Sequence, residues 1–207
     1  MSETGDERPA ADLEELWAGE FGRAYIARNR LIDERRAAFW TGLLADYPIT
    51  SVLEVGCGQG ANLRPISQVI EAPDTWGIDI NPDALAIARS HAPGINVVAS
   101  RARQLPFRDG LVDLAFTVGV LIHQPEASLS VVLAEIVRCS KRYVLWAEYH
   151  APRTEEVPYR GQSGALFKRD YGRIYHDLFP DLAVRREGFL GPEDGFDRVT
   201  WQLLEKP

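Results

Sequence analysis

The sequence predicts an α/β fold, a doubly wound sheet of seven strands, on three observations. Beyond Pro48, short apolar runs alternate with amphipathic helical runs. The first apolar run, Val52-Leu53-Glu54-Val55, empties into the glycine turn Gly56-Cys57-Gly58-Gln59-Gly60. The last two apolar runs are joined by a Gly/Pro/Asp-rich loop with no helix in it. Alternation implies parallel strands covered by helices on both faces. A helix-free link suits an antiparallel pair, so the sheet is expected to be mostly parallel with an antiparallel C-terminal strand.

Each element follows in order. Residues 1–12 are acidic and polar and read as a disordered tail. Over residues 13–47, Leu13, Leu16, Trp17, Phe21, Tyr25, Ile26, Leu31, Ile32, Phe39, Leu43 and Leu44 recur at helical spacing, with Gly19 and Gly22 as breaks, which predicts an N-terminal helical cap. The main domain then spans 48–207. Its strands are expected at Ser51–Val55, Thr75–Ile80, Ile95–Ala99, Val112–Val118 and Arg142–Glu148, with closing strands at Ala183–Phe189 and Val199–Leu204. Helices are expected at Ala61–Ile70, Ala84–His91, Ser128–Cys139 and around Lys168–Leu178. Asn81-Pro82-Asp83 provides a capping start to the second of these. An irregular stretch from Tyr149 to Ala165 carries Pro152 and Pro158.

Composition narrows the function. A chain of 207 residues is long enough for one full core. Its net charge of −7 argues against non-specific binding to nucleic acid or anionic membrane. No apolar run of membrane-spanning length occurs, and the N-terminus lacks the pattern of a signal peptide. Cys57 and Cys139 have no ligand-like spacing, so neither a disulfide nor a metal site is expected, and a cytoplasmic setting is.

The glycine turn fits two fingerprints. As G-x-G-x-x-A, through Ala61, it could cradle a dinucleotide pyrophosphate; as E-x-G-x-G-x-G it matches the turn that holds S-adenosylmethionine (SAM). A helix opening near Ala61 would add free N–H groups and a positive dipole end. Asp79 lies where a carboxylate accepts both ribose hydroxyls, a need the two cofactors share. Glu54 before the glycines, the polar cluster after the fourth strand and the antiparallel C-terminal pair favour SAM.

With these residues the chain resembles the class I SAM-dependent methyltransferases, which have a Rossmann-like fold. Within them it resembles the pseudaminic acid biosynthesis-associated methylases. The resemblance runs from Trp17 onward: Trp17-Ala18-Gly19-Glu20-Phe21-Gly22 with Tyr25 and Arg28-Asn29, the glycine turn, and Gly119-Val120-Leu121-Ile122-His123. It continues through Glu148-Tyr149, Pro158-Tyr159-Arg160-Gly161, Leu166-Phe167-Lys168-Arg169-Asp170 and Thr200 to Lys206. It implies cofactor contacts at Tyr25, Asn29, Glu54, Gly56, Gly58, Gly60, Asp79, Ile80, Ser100, Arg101, Ala102, Val118 and Gly119. One departure stands out. Arg101 occupies the place where such enzymes often present an Asp to the adenine amine, and a guanidinium cannot accept that hydrogen bond. Backbone near Ala102 or the Ser100 hydroxyl are the alternatives.

Open α/β sheets hold ligands beyond the carboxyl ends of their strands. His123, Glu148 and Tyr149 fall there and are the candidate catalytic residues, as general base, orienting group or cation-binding pair. The alternative for His123 is a loop histidine bonded to backbone, and for Glu148 a partner to a nearby arginine. Tyr25, Tyr159, Arg160, Lys168 and Arg169 are the candidate substrate-binding residues, because arginine forks match carboxylate and phosphate. A solvated helix start with Lys168 and Arg169 paired to neighbouring carboxylates is the alternative. Trp17, Phe21 and Trp201 read as packing residues.

The leading expectation is a methyltransferase that acts on oxygen or nitrogen of a small polar, sugar-like or anionic metabolite, as a monomer or homodimer. A SAM-binding protein without catalysis and a nicotinamide-dependent oxidoreductase are the competing classes.

Overall fold

The computed structural model describes residues 8–29 and 34–207. Helices α1 (Ala10–Ala18), α2 (Glu20–Arg28) and α3 (Arg36–Asp46) precede the sheet. The sheet domain then runs β1 (Val52–Val55), α4 (Leu63–Ile66), β2 (Thr75–Asp79), α5 (Pro82–His91), β3 (Asn96–Ala99), β4 (Val112–Val118), α6 (Glu126–Cys139) and β5 (Ser140–Glu148). It closes with a two-residue ribbon, β6 (Glu155–Glu156) and β7 (Phe167–Lys168), then α7 (Tyr171–Leu178), β8 (Ala183–Leu190) and β9 (Val199–Glu205).

Seven strands form one sheet in the order β3-β2-β1-β4-β5-β9-β8. The five strands β1 to β5 are mutually parallel, and β9 runs antiparallel to both β5 and β8. This is the expected fold, with the reversed strand inside the sheet's last pair rather than at its edge. Chain order reverses between β1 and β4, and such a switch point opens a crevice at the strand ends. All four residues of β1 are buried, as a strand covered on both faces requires. One apolar layer gathers Trp40, Leu63, Leu85, Phe116 and Trp201 on one face; the other gathers Leu53, Ile78, Leu133, Trp146 and Tyr175.

Several boundaries differ from the sequence expectation, each for a local reason. Helix α1 begins at Ala10, inside the expected tail, whose first seven residues lie outside the described ones. Gly19 does separate α1 from α2, but Gly22 sits within α2. A Cβ at Gly22 would lie 1.8 Å from the Trp17 carbonyl oxygen and 2.8 Å from Asn81 Nδ2, so glycine is there for close approach. Leu31 and Ile32, expected on this helical face, lie outside the described residues. Helix α4 covers only four residues, and it does not open at Ala61 because Pro65 has no N–H to give to that carbonyl. Helix α7 starts at Tyr171, where the Asp170 carboxylate accepts Arg173 N–H, and Lys168 belongs to the β6–β7 ribbon instead. Asn81 caps α5 through Asp83 N–H, with Pro82 at the first helical position, as expected.

Candidate active site

A cavity of about 1000 Å³ opens at the carboxyl ends of the strands. Its floor is Glu54, Gly56, Gly58 and Asp79; one side continues to Ile80, Ser100 and Ala102, the other to Val118, Gly119, His123 and Tyr149. Glu14, Trp17, Tyr25 and Asn29 from α1 and α2 cover it, with Tyr159, Arg160 and Lys168 from the β6–β7 segment. The volume lies at the top of the range of about 300–1,000 Å³ for small-molecule sites, room for a cofactor and a small acceptor together.

The glycine turn is shaped by its neighbours. Gly56, Gly58 and Gly60 have φ of 76°, 51° and 78°, a region that disfavours a side chain. A Cβ at Gly56 would strike Val120 at 2.4 Å, whereas one at Gly58 would meet nothing within 4 Å. Gly58 therefore presents bare backbone to the cavity. Gly60 shapes the turn from behind, against Ala88. Cys57 is buried, and burial pushes its thiol well above the ordinary value, which makes it a packing residue.

Two carboxylates face this floor. Asp79 Oδ2 accepts the Gly58 N–H at 2.8 Å and Oδ1 accepts the Asn81 N–H at 2.8 Å. Burial raises its pKa, and those backbone donors pull it back. Glu54 is deeper: Oε1 accepts from Asn62 Nδ2 at 2.6 Å, while Oε2 is buried with no hydrogen-bond partner. Asn62 in turn accepts from Trp40 Nε1 at 3.2 Å and Arg36 Nη1 at 3.1 Å. Burial raises Glu54 from 4.5 to about 8, opposed by Asn62 and Arg36. Arg36 and Asn62 escaped the sequence reading. Asn62, just before α4, belongs to no motif, and Arg36 lies in another segment.

Beyond β4, His123 Nδ1 lies 2.6 Å from the Ala165 carbonyl oxygen. A carbonyl only accepts, so Nδ1 carries the proton and Nε2 keeps its lone pair. Its ring packs on Trp17 at 4.5 Å and on Tyr159 at 5.4 Å. Burial lowers its pKa to about 4, against the Ala165 bond, which raises it; the imidazole is neutral at physiological pH.

Two sequence candidates turn out to do other work. Glu148 is fully buried and does not line the cavity: Oε1 accepts Val120 N–H at 3.2 Å and Oε2 accepts Ile122 N–H at 3.3 Å. Burial raises its pKa to about 7, opposed by those backbone donors. It holds the turn that carries His123. Arg169 is buried too, its guanidinium 2.9 Å from the Gln124 carbonyl, 3.3 Å from Glu126 and stacked 4.4 Å over Phe167. It braces the loop carrying Gln124 and Glu126 and does not line the cavity.

The remaining cations do line the wall. Arg160, Lys168 and Arg198 form no ion pair with a carboxylate among the described residues. Arg160 and Gly161, with φ of 50° and 78°, are the centre of a two-residue turn in which Tyr159 and Gln162 exchange backbone hydrogen bonds at 3.0 and 2.9 Å. That is the type I′ pattern. Arg198 also has positive φ, at 51°, and was not foreseen because its loop reads as a plain connector. Asp197 shares this wall and, after burial, is the foremost influence raising Tyr149 to about 12.

Trp17 is the centre of the cover. It contacts Phe21 and Tyr25 at 5.3 Å each and stacks towards Tyr159 at 6.4 Å, so it belongs to the cavity and not to the core. Gln59 of the glycine turn donates to the Ile26 and Asn29 carbonyls at 3.2 and 2.9 Å, pinning α2 over the site. Asn29 spends its amide on the Tyr25 carbonyl. Arg101 does not line the cavity; its Nε lies 3.0 Å from Glu14 Oε2. Among the described residues no cluster of metal-ligating side chains occurs and no helix is long and apolar enough to cross a membrane.

Residues 52–142 match the model of the methyltransferase domain family. The 24-methylenesterol C-methyltransferase 2 of Arabidopsis thaliana is 33% identical over 141 residues, 65% of this chain and 37% of its own length. The chain thus spans less than half of that relative. The structure of 1,6-didemethyltoxoflavin-N1-methyltransferase from Burkholderia thailandensis, with S-adenosylhomocysteine bound, superposes with a TM-score of 0.75 at 14% identity, covering 98% of this chain and 92% of that one. Magnesium protoporphyrin IX methyltransferase from Synechocystis PCC 6803, with SAM bound, gives 0.72 at 14% identity over 99% and 100%. The match marks residues 52–142 as a methyltransferase domain, and the chain as a whole has the fold of methyltransferases solved with SAM or S-adenosylhomocysteine bound.

The residues fit this cofactor on their own chemistry. The unpartnered Glu54 Oε2 suits an ammonium group, the open backbone at Gly58 suits close approach, and Asp79 suits ribose hydroxyls.

Proposed function

We propose that the protein transfers a methyl group from SAM to an oxygen or nitrogen of a small polar acceptor, sugar-like and bearing an anionic group. The observation that carries this is one cavity lined both by the glycine turn and Asp79 and by the cations Arg160, Lys168 and Arg198, which form no ion pair among the described residues. Asp197 on the same wall suits an acceptor that also offers hydroxyl or amino hydrogens. The resemblance to the pseudaminic acid biosynthesis-associated methylases, carried by the blocks around Trp17, Tyr159 and Lys168, supports the same reading. The division into a cap over residues 13–47 and a catalytic domain from 48 belongs to it.

SAM supplies an activated methyl group and most of the driving force. The chain's part is positioning and proton management. Lys168, Arg160 and Arg198 hold the anionic end of the acceptor, and Tyr149 and Tyr159 flank its body. His123, neutral and with Nε2 available, takes the proton that the acceptor atom loses; Glu148 keeps the loop bearing His123 in place through Val120 and Ile122. Trp17 and Tyr159 exclude water above the imidazole.

The test is a methylation assay with matched pairs of sugar acids and their neutral alcohols. Transfer to acids over alcohols, lost in Lys168→Ala with cofactor binding intact, is expected. Equal transfer to both members of each pair would remove the anionic part of the reading.

A further inference from the structure

We propose that Glu14, carried by α1, accepts the adenine amine of the methyl donor and replaces the carboxylate that Arg101 displaces from the end of β3. This rests on the SAM reading above. Strand order fixes which way the cofactor lies. Asp79 ends β2, Glu54 belongs to β1, and His123 and Tyr149 follow β4 and β5, where transfer takes place. The base therefore lies towards β3, over Ile80, Ser100 and Ala102, all of which line the cavity.

Beyond Asp79, that end of the cavity receives no carboxylate from the sheet. Ser100 Oγ donates to the Gln104 carbonyl at 3.0 Å and is a neutral hydroxyl, and Arg101 has only donors. Glu14 lines the same end, alongside Ala10 and Leu13. Arg103 grips it as a fork, Nε to Oε1 at 2.6 Å and Nη2 to Oε2 at 2.9 Å, and Arg101 Nε reaches Oε2 at 3.0 Å. Glu14 is 18% exposed, against 58% and 41% for Arg101 and Arg103, so the carboxylate faces inward and the guanidinium groups outward. Two carboxylate oxygens offer about four lone-pair sites, and these three bonds leave room for one more N–H. The substitution that removes the acceptor from β3 thus supplies the anchor that brings another one in on α1. The cofactor's base would be read by the cap rather than by the sheet.

A bare latch would show the same ion pairs, and binding measurements separate the two. Calorimetry with S-adenosylhomocysteine and its 6-deamino analogue is run on the whole chain, wild type, Glu14→Gln, Glu14→Ala and Arg103→Ala. The wild type should favour the amine-bearing ligand by roughly tenfold or more, the size of a charge-assisted hydrogen bond. Glu14→Ala and Glu14→Gln should bind it more weakly and lose most of that preference; Arg103→Ala should weaken both ligands and keep it. Arg101→Asp added to Glu14→Ala should restore the preference. Equal weakening of both ligands in the Glu14 variants, with the preference intact, overturns the proposal in favour of a latch. A wild type that binds neither ligand overturns the SAM reading itself.

Discussion

Removing the charge of Glu54 separates folding from cofactor binding in one substitution. Its side chain is 2% exposed, holds Asn62 through Oε1 and leaves Oε2 without a partner. Burial raises it from 4.5 to about 8. Between those two values the folded protein retains a proton that the unfolded chain has released, at about 1.4 kcal/mol per pH unit. The native state is therefore favoured below pH 4.5 and loses stability as pH rises towards 8. At pH 7 the deficit is about 3 kcal/mol. Glu54→Gln keeps the shape and the Asn62 bond and removes that term, so the free protein should be more stable by about that amount at pH 7 and unchanged at pH 4. The same variant should bind S-adenosylhomocysteine roughly 10- to 100-fold more weakly, for loss of a charge-assisted bond to the ammonium. Wild-type binding at pH 7 should release about 0.9 proton, since a group titrating near 8 is mostly protonated there and must ionise to meet a cation. Denaturant titration at two pH values, and calorimetry in buffers of different ionisation enthalpy, read these quantities. Binding without proton release, together with unaltered affinity in Glu54→Gln, would refute the assignment.

Three more predictions follow from other parts of the site. With His123 titrating near 4, the rate of transfer should be flat between pH 6 and 8, and His123→Ala should lower it by roughly 10²–10⁴ at unchanged cofactor affinity; an inflection near 6.5 would contradict the partly buried, neutral imidazole. Arg160→Gly relieves a left-handed arginine and should stabilise the fold by about 1 kcal/mol while raising the acceptor KM. A melting curve and steady-state kinetics on one sample check both directions. Gly22→Ala forces α2 off Trp17 and Asn81 and should lower affinity for S-adenosylhomocysteine about tenfold while leaving the sheet folded, because a clash of this size is worth roughly 1–3 kcal/mol; wild-type affinity in that variant would detach the cap from the cofactor site.

The sheet was legible in the sequence because each of its strands is a short apolar run bounded by glycine, proline or a capping residue. Asn81-Pro82-Asp83 marked a helix start correctly for the same local reason. Signals that depend on distant partners were not legible. Glu148 looked catalytic from its place at the end of β5, and only the fold shows Val120 and Ile122 turning their N–H groups onto it. Arg169 looked like an anion ligand until Phe167, Gln124 and Glu126 closed around it. Trp17 had the helical spacing of a core residue, and that spacing cannot tell a core from a lid. Arg36, Asn62 and Arg198 had no motif at all, because their roles come from three separate segments meeting around one cavity.

The roof of the cavity joins residues far apart in the chain. Arg8 Nη1 donates to Gln162 Oε1 at 3.1 Å, and Gly164 lies against the Arg8 backbone. On the side of Arg101 and Arg103, by contrast, α1 is fastened by three charged hydrogen bonds. The two seams differ in strength, a neutral acceptor against an ionic fork, and so they should part in a fixed sequence. On the proposed function, the hairpin seam is expected to open first and pass the acceptor while the ionic seam still holds the donor. Turnover would then be ordered, with the methyl donor entering first and its spent form leaving last, and the order would weaken as salt loosens the fork.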